Sequence, residues 1–106
     1  MSHERSIFDE LIEEIRAFAQ ARDWEQYHTP KNLAMALAGE AGELVAELQW
    51  LTPAEASPDA LTLEKKEALM LEMADVQIYL LRLADVLGVD VAEAVRTKLA
   101  INETRF

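Results

Sequence analysis

The sequence predicts an all-α chain: a bundle of four main helices with a short connector helix. Three observations predict it. Every long patterned stretch repeats its apolar residues at three- and four-residue spacing, and no stretch alternates as a half-buried strand does. The three glycines and three prolines fall where helices bend or stop.

The first helix is expected to begin at Ser6, an N-cap, and to carry Ile7, Leu11, Ile15 and Phe18 on one face. It ends near Arg22 and Asp23, and Trp24 to His28 form a short connector to Thr29 and Pro30. Threonine caps and proline at the first helical position is a favoured way to start a helix, because proline lacks only an N–H that has no intrahelical partner there. The second helix runs from Pro30 to about Leu51. Gly39 and Gly42 flank Glu40 within it, each costing roughly 1 kcal/mol relative to alanine. Two readings of these glycines stay open: close helix packing, or space kept free around the carboxylates. Thr52-Pro53-Ala54-Glu55 has capping-box spacing and predicts a short turn of helix, interrupted at Ser57-Pro58-Asp59. The third helix spans about Leu63 to Leu87 and stops at Gly88. Asp90-Val91-Ala92-Glu93 opens a fourth that reaches to near Arg105. The stretch between Thr52 and Thr62 reads as a connector, so residues 1–106 are expected to form one domain.

A chain of 106 residues leaves little room for a large core, and oligomerisation is a common way to complete one. Twenty acidic against 10 basic residues give a formal charge of −10, which argues against nucleic acid as a partner. Affinity for nucleic acid comes from Lys and Arg on phosphates, and no basic patch stands out. The absence of cysteine excludes disulfides and thiolate metal sites. Met1 to Arg5 lacks the apolar run of a leader, and no apolar stretch reaches the ~18–20 residues that span a bilayer. A soluble, cytoplasmic protein without a membrane partner is the expectation.

Four carboxylates break the apolar pattern. Glu40 and Glu43 lie in the second helix, Glu72 and Asp75 in the third, each pair three residues apart. Residues so spaced lie about 60° apart on the helix surface and project together, while Glu47 falls within about 20° of Glu40. Glu72 and Asp75 stand among Leu69, Met70, Leu71, Met73, Ala74, Val76 and Ile78, and a helix apolar nearly all round is normally buried. If the two helices pack antiparallel, the acids converge, and a divalent cation relieves their repulsion and desolvation. An all-oxygen ligand set selects a hard ion, magnesium (Mg²⁺) first, with Mn²⁺ or Ca²⁺ as alternatives. The di-iron bundle needs two Glu-x-x-His motifs. The one such spacing here, Glu25 to His28, abuts a helix start. The bland alternative is that the acids occupy ordinary exposed helix positions.

Glu40-Ala41-Gly42-Glu43, 28 intervening residues, then Glu72-Met73-Ala74-Asp75 resembles the Glu-x-x-Glu and Glu-x-x-Asp signature of the MazG-type nucleotide pyrophosphohydrolases, in the all-α NTP pyrophosphatase superfamily. The segments from Arg22 to Leu33, Gly39 to Trp50, Asp75 to Leu80 and Lys98 to Phe106 are similar to the branch that contains dCTP pyrophosphatase. The resemblance covers roughly Ile7 to Phe106 and implies a homodimer, or a homotetramer formed as a dimer of dimers. It also implies Mg²⁺-dependent hydrolysis of (deoxy)nucleoside triphosphates, dCTP or related pyrimidine nucleotides first, to the monophosphate and pyrophosphate, in nucleotide-pool sanitation. Glu40, Glu43, Glu72 and Asp75 are then the metal ligands and catalytic residues, with the metal neutralising the triphosphate and activating water. Trp24, His28, Trp50 and Tyr79 become candidates for the nucleobase pocket, and Lys98 and Asn102 for phosphate or sugar contacts. Lys98, Asn102 and Arg105 share a face by spacing, for which a solvated amphipathic surface is the plainer reading. His28, beside a helix cap, has local hydrogen bonding as its plainer role. The competing functions are a dUTP or broad-range NTP pyrophosphohydrolase and a non-catalytic helical dimerisation module.

Overall fold

The structure, a computed structural model, describes residues 5–106. Residues 1–4, on which the leader-peptide reading partly rests, lie outside the described residues. Four helices follow one another: α1 (Ile7–Ala21), α2 (Pro30–Leu48), α3 (Leu63–Leu87) and α4 (Val91–Arg105), with one 3-10 turn at Glu25–Tyr27. Among the described residues there is no strand. No described helix is long and apolar enough to cross a membrane.

The helix starts follow their caps. Ser6 and Asp9 form a reciprocal capping box on α1, and the Thr29, Thr62 and Asp90 side chains accept from the N–H three residues on. Gly88 ends α3 in the left-handed region at φ 69°, as its position after the last apolar residue predicts. The end of α1 is less ordinary. Asp23 takes φ 57°, Asp23 N–H donates to Gln20 C=O, and Trp24 N–H reaches back to Ala19 C=O at 3.0 Å. This is a Schellman turn built on an aspartate instead of glycine, and it swings Trp24 back over α1.

α2 ends three residues earlier than the pattern suggests. Beyond it, Thr52 and Glu55 do form their capping box, at 2.8 and 3.2 Å, and Ala56 N–H donates to Thr52 C=O. That nucleus does not propagate: the segment stays a run of turns, and the short helix of the bundle is the 3-10 turn. Ser57-Pro58 explains the arrest, since proline disfavours the helical region for the residue before it.

α3 packs mainly along α2 and secondarily on α1, whereas α4 makes only slight contacts with the other helices. Leu33, Ala36, Leu37, Glu40, Leu44 and Glu47 mark the inward stripe of α2, and Leu33 is fully buried. The facing stripe of α3 carries Glu72, Asp75, Val76 and Tyr79 before reaching the buried Leu81 and Arg82. A Glu47–Lys65 ion pair of 2.9 Å ties α2 to the first turn of α3.

The core is small. Ala19, Leu33, Leu81 and Ala84 are the buried apolar residues among those described, and Met70, Leu71 and Met73 on α3 stand exposed. The expected all-round burial of α3 is therefore not achieved within one chain. The radius of gyration, 16.6 Å, exceeds the roughly 13 Å of a closed globule of this length.

Candidate functional site

Antiparallel packing of α2 and α3 brings Glu40, Glu72 and Asp75 together, each half-buried, with one oxygen from each within 4.8 Å of the others. Glu43 is exposed and lies outside this trio. The stripe that faces α3 runs through Leu33, Glu40 and Glu47 at seven-residue intervals, so Glu43, about 60° round from Glu40, comes to the rim. Its charge still acts on Glu72.

Glu72 is electrostatically strained. Desolvation, then the charges of Glu40, Glu43, Asp75 and Glu47, push its carboxyl above the usual range. Its Oε2 is sealed from solvent without a hydrogen-bond partner. An unpartnered carboxylate oxygen facing other carboxylates is the environment that a hard cation fits. Three oxygen donors with no nitrogen or sulfur among them match Mg²⁺ or Mn²⁺ chemistry and leave coordination positions for phosphate or water.

Glu40 and Asp75 also border a cavity of about 220 Å³ between α1, α2 and α3. Phe18, Trp24, His28 and Tyr79 line the same cavity. Phe18 and Trp24 meet edge to face at 5.6 Å between centroids, and the Trp24 and His28 rings lie 6.2 Å apart. The Arg22 guanidinium lies over the Phe18 ring, 3.5 Å from its centroid. Asn32 in α2 donates to Tyr27 C=O at 3.0 Å and so ties the connector that carries Trp24 and His28 to the carboxylate helix. A Cβ at Gly39 or Gly42 would meet nothing within 4 Å, so no packing among the described residues requires either glycine.

Next to His28 lies a charged network that the sequence pattern did not announce. Arg82, 7% exposed, lines the same cavity and donates from Nε to His28 Nδ1 at 3.0 Å. Its Nη1 donates to Asp85 at 2.9 Å, and Arg16 donates to Asp85 through Nε and Nη2 at 2.9 and 2.6 Å. The Arg16 hydrogen bonds, seconded by the charges of both arginines, hold the Asp85 carboxyl below its usual range. A sequence signal existed: Arg82 stands one turn past Tyr79 and two past Asp75 in an otherwise apolar run. Phe18 was legible only as a member of the apolar face of α1.

The remaining candidates stand elsewhere. Trp50, beyond the end of α2, is 87% exposed. Lys98 and Asn102 are on α4; Lys98 borders an apolar groove between α3 and α4, and neither lines the acid-bordered cavity. Within the described chain, Trp24, His28, Tyr79, Glu40, Glu72 and Asp75 come together, while Trp50, Lys98 and Asn102 do not join them.

The profile of the MazG-like family matches residues 35–106, which include both acidic pairs. The chain belongs to the MazG-like family. It is 44% identical over 99 residues to dCTP pyrophosphatase 1 of Rattus norvegicus and equally to that of Homo sapiens, matching 90% of this chain. The chain spans 58% of the length of those relatives. A 35-residue stretch is 66% identical to a dATP/dGTP diphosphohydrolase of Cyanophage S-2L, covering 33% of each chain. The crystal structure of a pyrophosphatase from Archaeoglobus fulgidus superposes with a TM-score of 0.87 at 37% identity, over 100% of this chain and 97% of that one.

Proposed function

We propose that this MazG-like chain hydrolyses nucleoside triphosphates to the monophosphate and pyrophosphate in the presence of a divalent cation, Mg²⁺ first and Mn²⁺ second. The observation that carries the reading is one cavity lined both by carboxylates and by aromatic rings. A nucleotide has the matching polarity: a π-face at one end and a polyanion at the other. The MazG-like match and the pyrophosphatases among its relatives support the same chemistry. Residues 1–106 then serve as one nucleotide pyrophosphohydrolase domain, with a role in nucleotide-pool sanitation.

In this reading Glu40, Glu72 and Asp75 hold the cation, and Glu43 at the rim adds a fourth acid. When bound, a divalent ion supplies charge neutralisation for the phosphates and Lewis acidity toward the attacking water. Trp24 and Tyr79 flank the base, as stacking side chains do for exposed bases at roughly 1–3 kcal/mol each. A carboxylate oxygen of the cluster accepts the water's proton, and the α-phosphorus is the point of attack, so pyrophosphate leaves. Trp50, Lys98 and Asn102 remain part of the proposal as groups that a second copy of the chain delivers. The exposed apolar residues of α3 and the loosely attached α4 support a homodimer or a dimer of dimers.

The preferred base is proposed as cytosine or a related pyrimidine, following the names of the 44%-identical relatives. A broader or purine range is the second reading, favoured by the phage relative that acts on dATP and dGTP. Turnover of a panel of dNTPs and NTPs with Mg²⁺, with products resolved chromatographically, tests both. Highest kcat/KM for dCTP supports the first reading and a flat or purine-led profile the second. No turnover of any triphosphate with either cation would defeat the enzymatic reading.

A further inference from the structure

The bond between Arg82 and His28 carries information about the base that the acids do not. A guanidinium has donors and no acceptor, so the ring atom it addresses must be a lone pair. Arg82 Nε donates to His28 Nδ1 at 3.0 Å, which places the proton of a neutral His28 on Nε2. No other hydrogen bond engages the His28 ring among the described residues. His28 lines the cavity, so Nε2–H is the polar group of this ring left for an occupant.

Arg82 is itself held in place. It is 7% exposed and anchored by Asp85, which Arg16 orients from α1 with two further bonds. The chain of contacts from Arg16 through Asp85 and Arg82 to His28 therefore fixes both the position and the polarity of one ring at the aromatic end. We propose that Arg82 is a positioning residue for base binding: it sets His28 as a one-way donor, so that Nε2–H meets a ring-nitrogen or carbonyl acceptor of the nucleobase. The reading rests on the nucleotide function proposed above. Burial, followed by the Arg82 charge, lowers the His28 pKa against an opposing pull from Glu25, a net shift that favours the neutral imidazole.

The test uses the full chain and two variants, Arg82→Met and Arg82→Lys. In the ligand-free protein, imidazole ¹⁵N spectra are expected to show an unprotonated Nδ1 and a protonated Nε2 in the wild type. The two nitrogens should share the proton in Arg82→Met, and the wild-type pattern should return in Arg82→Lys, whose ammonium donates and cannot accept. With Mg²⁺, Arg82→Met is expected to raise KM for dCTP by between about twofold, the factor from halving the Nε2–H population, and about tenfold, the scale of one neutral hydrogen bond lost when the ring is also displaced, with kcat within about twofold. KM for deoxyribose 5′-triphosphate, which lacks a base, should not move. A proton on Nδ1 in the wild type overturns the proposal even if no variant folds. Equal KM increases for dCTP and the abasic probe, or a fall in kcat alone, would also overturn it. Failure of the wild type to turn over any triphosphate sinks the enzymatic reading, and the ¹⁵N spectra still decide the role of Arg82.

Discussion

Asp85→Asn removes one negative charge from between two arginines and keeps the side chain's shape. Asp85 accepts three charged hydrogen bonds, at 2.9 and 2.6 Å from Arg16 and 2.9 Å from Arg82. The two cations do not weigh equally. The Arg16 side chain is 43% exposed, so water replaces most of what it loses, and its share is under about 1 kcal/mol. The Arg82 side chain is 8% exposed and its partner 14%, so a guanidinium left there without its anion costs about 3 kcal/mol. Urea unfolding at neutral pH and fixed protein concentration should therefore show a loss of about 3 kcal/mol with an unchanged m-value. The sign with pH follows from the depressed pKa of Asp85. Its contribution is full above the ordinary aspartate range and fades as pH falls through the depressed value, so variant and wild type should converge in acid. The double variant Arg82→Met with Asp85→Leu removes both buried charges and should lie within about 1 kcal/mol of the wild type. A loss below about 1 kcal/mol for Asp85→Asn, or a double variant less stable than the single one, refutes this reasoning.

Two further outcomes follow from the acids. Glu72 has a raised pKa in the fold, so the folded chain binds more protons than the unfolded one between the ordinary and the raised value. Without metal, melting temperature should fall as pH rises through that window, and saturating Mn²⁺ or Mg²⁺ should flatten the dependence; a cation-independent profile would show that the acids hold no ion. Asp75→Asn should abolish turnover, by at least about a hundredfold if the carboxylate is a direct ligand, while far-ultraviolet circular dichroism keeps its helical signal. Retained activity in that variant would remove Asp75 from the proposed site.

Much of this molecule was legible because helices announce their ends. Thr29-Pro30, Thr62, Gly88 and Asp90 each sit where a backbone group needs a partner or a positive φ, and the bounds of α3 follow from them directly. The convergence of Glu40, Glu72 and Asp75 followed from spacing plus antiparallel packing. What spacing could not set was the rotation of α2 against α3, which decides that Glu47 faces inward and Glu43 lies at the rim. The Schellman turn at Asp23 was hidden because its left-handed residue is not a glycine, and with it the placement of Trp24 against Phe18. Arg82 was hidden for a different reason: a lone arginine in an apolar run acquires meaning only when His28 and Asp85 arrive from other parts of the chain and helix. Lys98 and Asn102 share the expected helix, but α4 barely touches the other helices, so no intrachain packing could bring them to the acids.

The most direct measurement is hydrolysis of dCTP with Mg²⁺ in ¹⁸O-enriched water, with products read by ³¹P NMR and mass spectrometry. Pyrophosphate without label and deoxycytidine monophosphate carrying one ¹⁸O are expected, with no turnover when the cation is chelated. Orthophosphate with the diphosphate, or label in pyrophosphate, would place the attack on another phosphorus and contradict it.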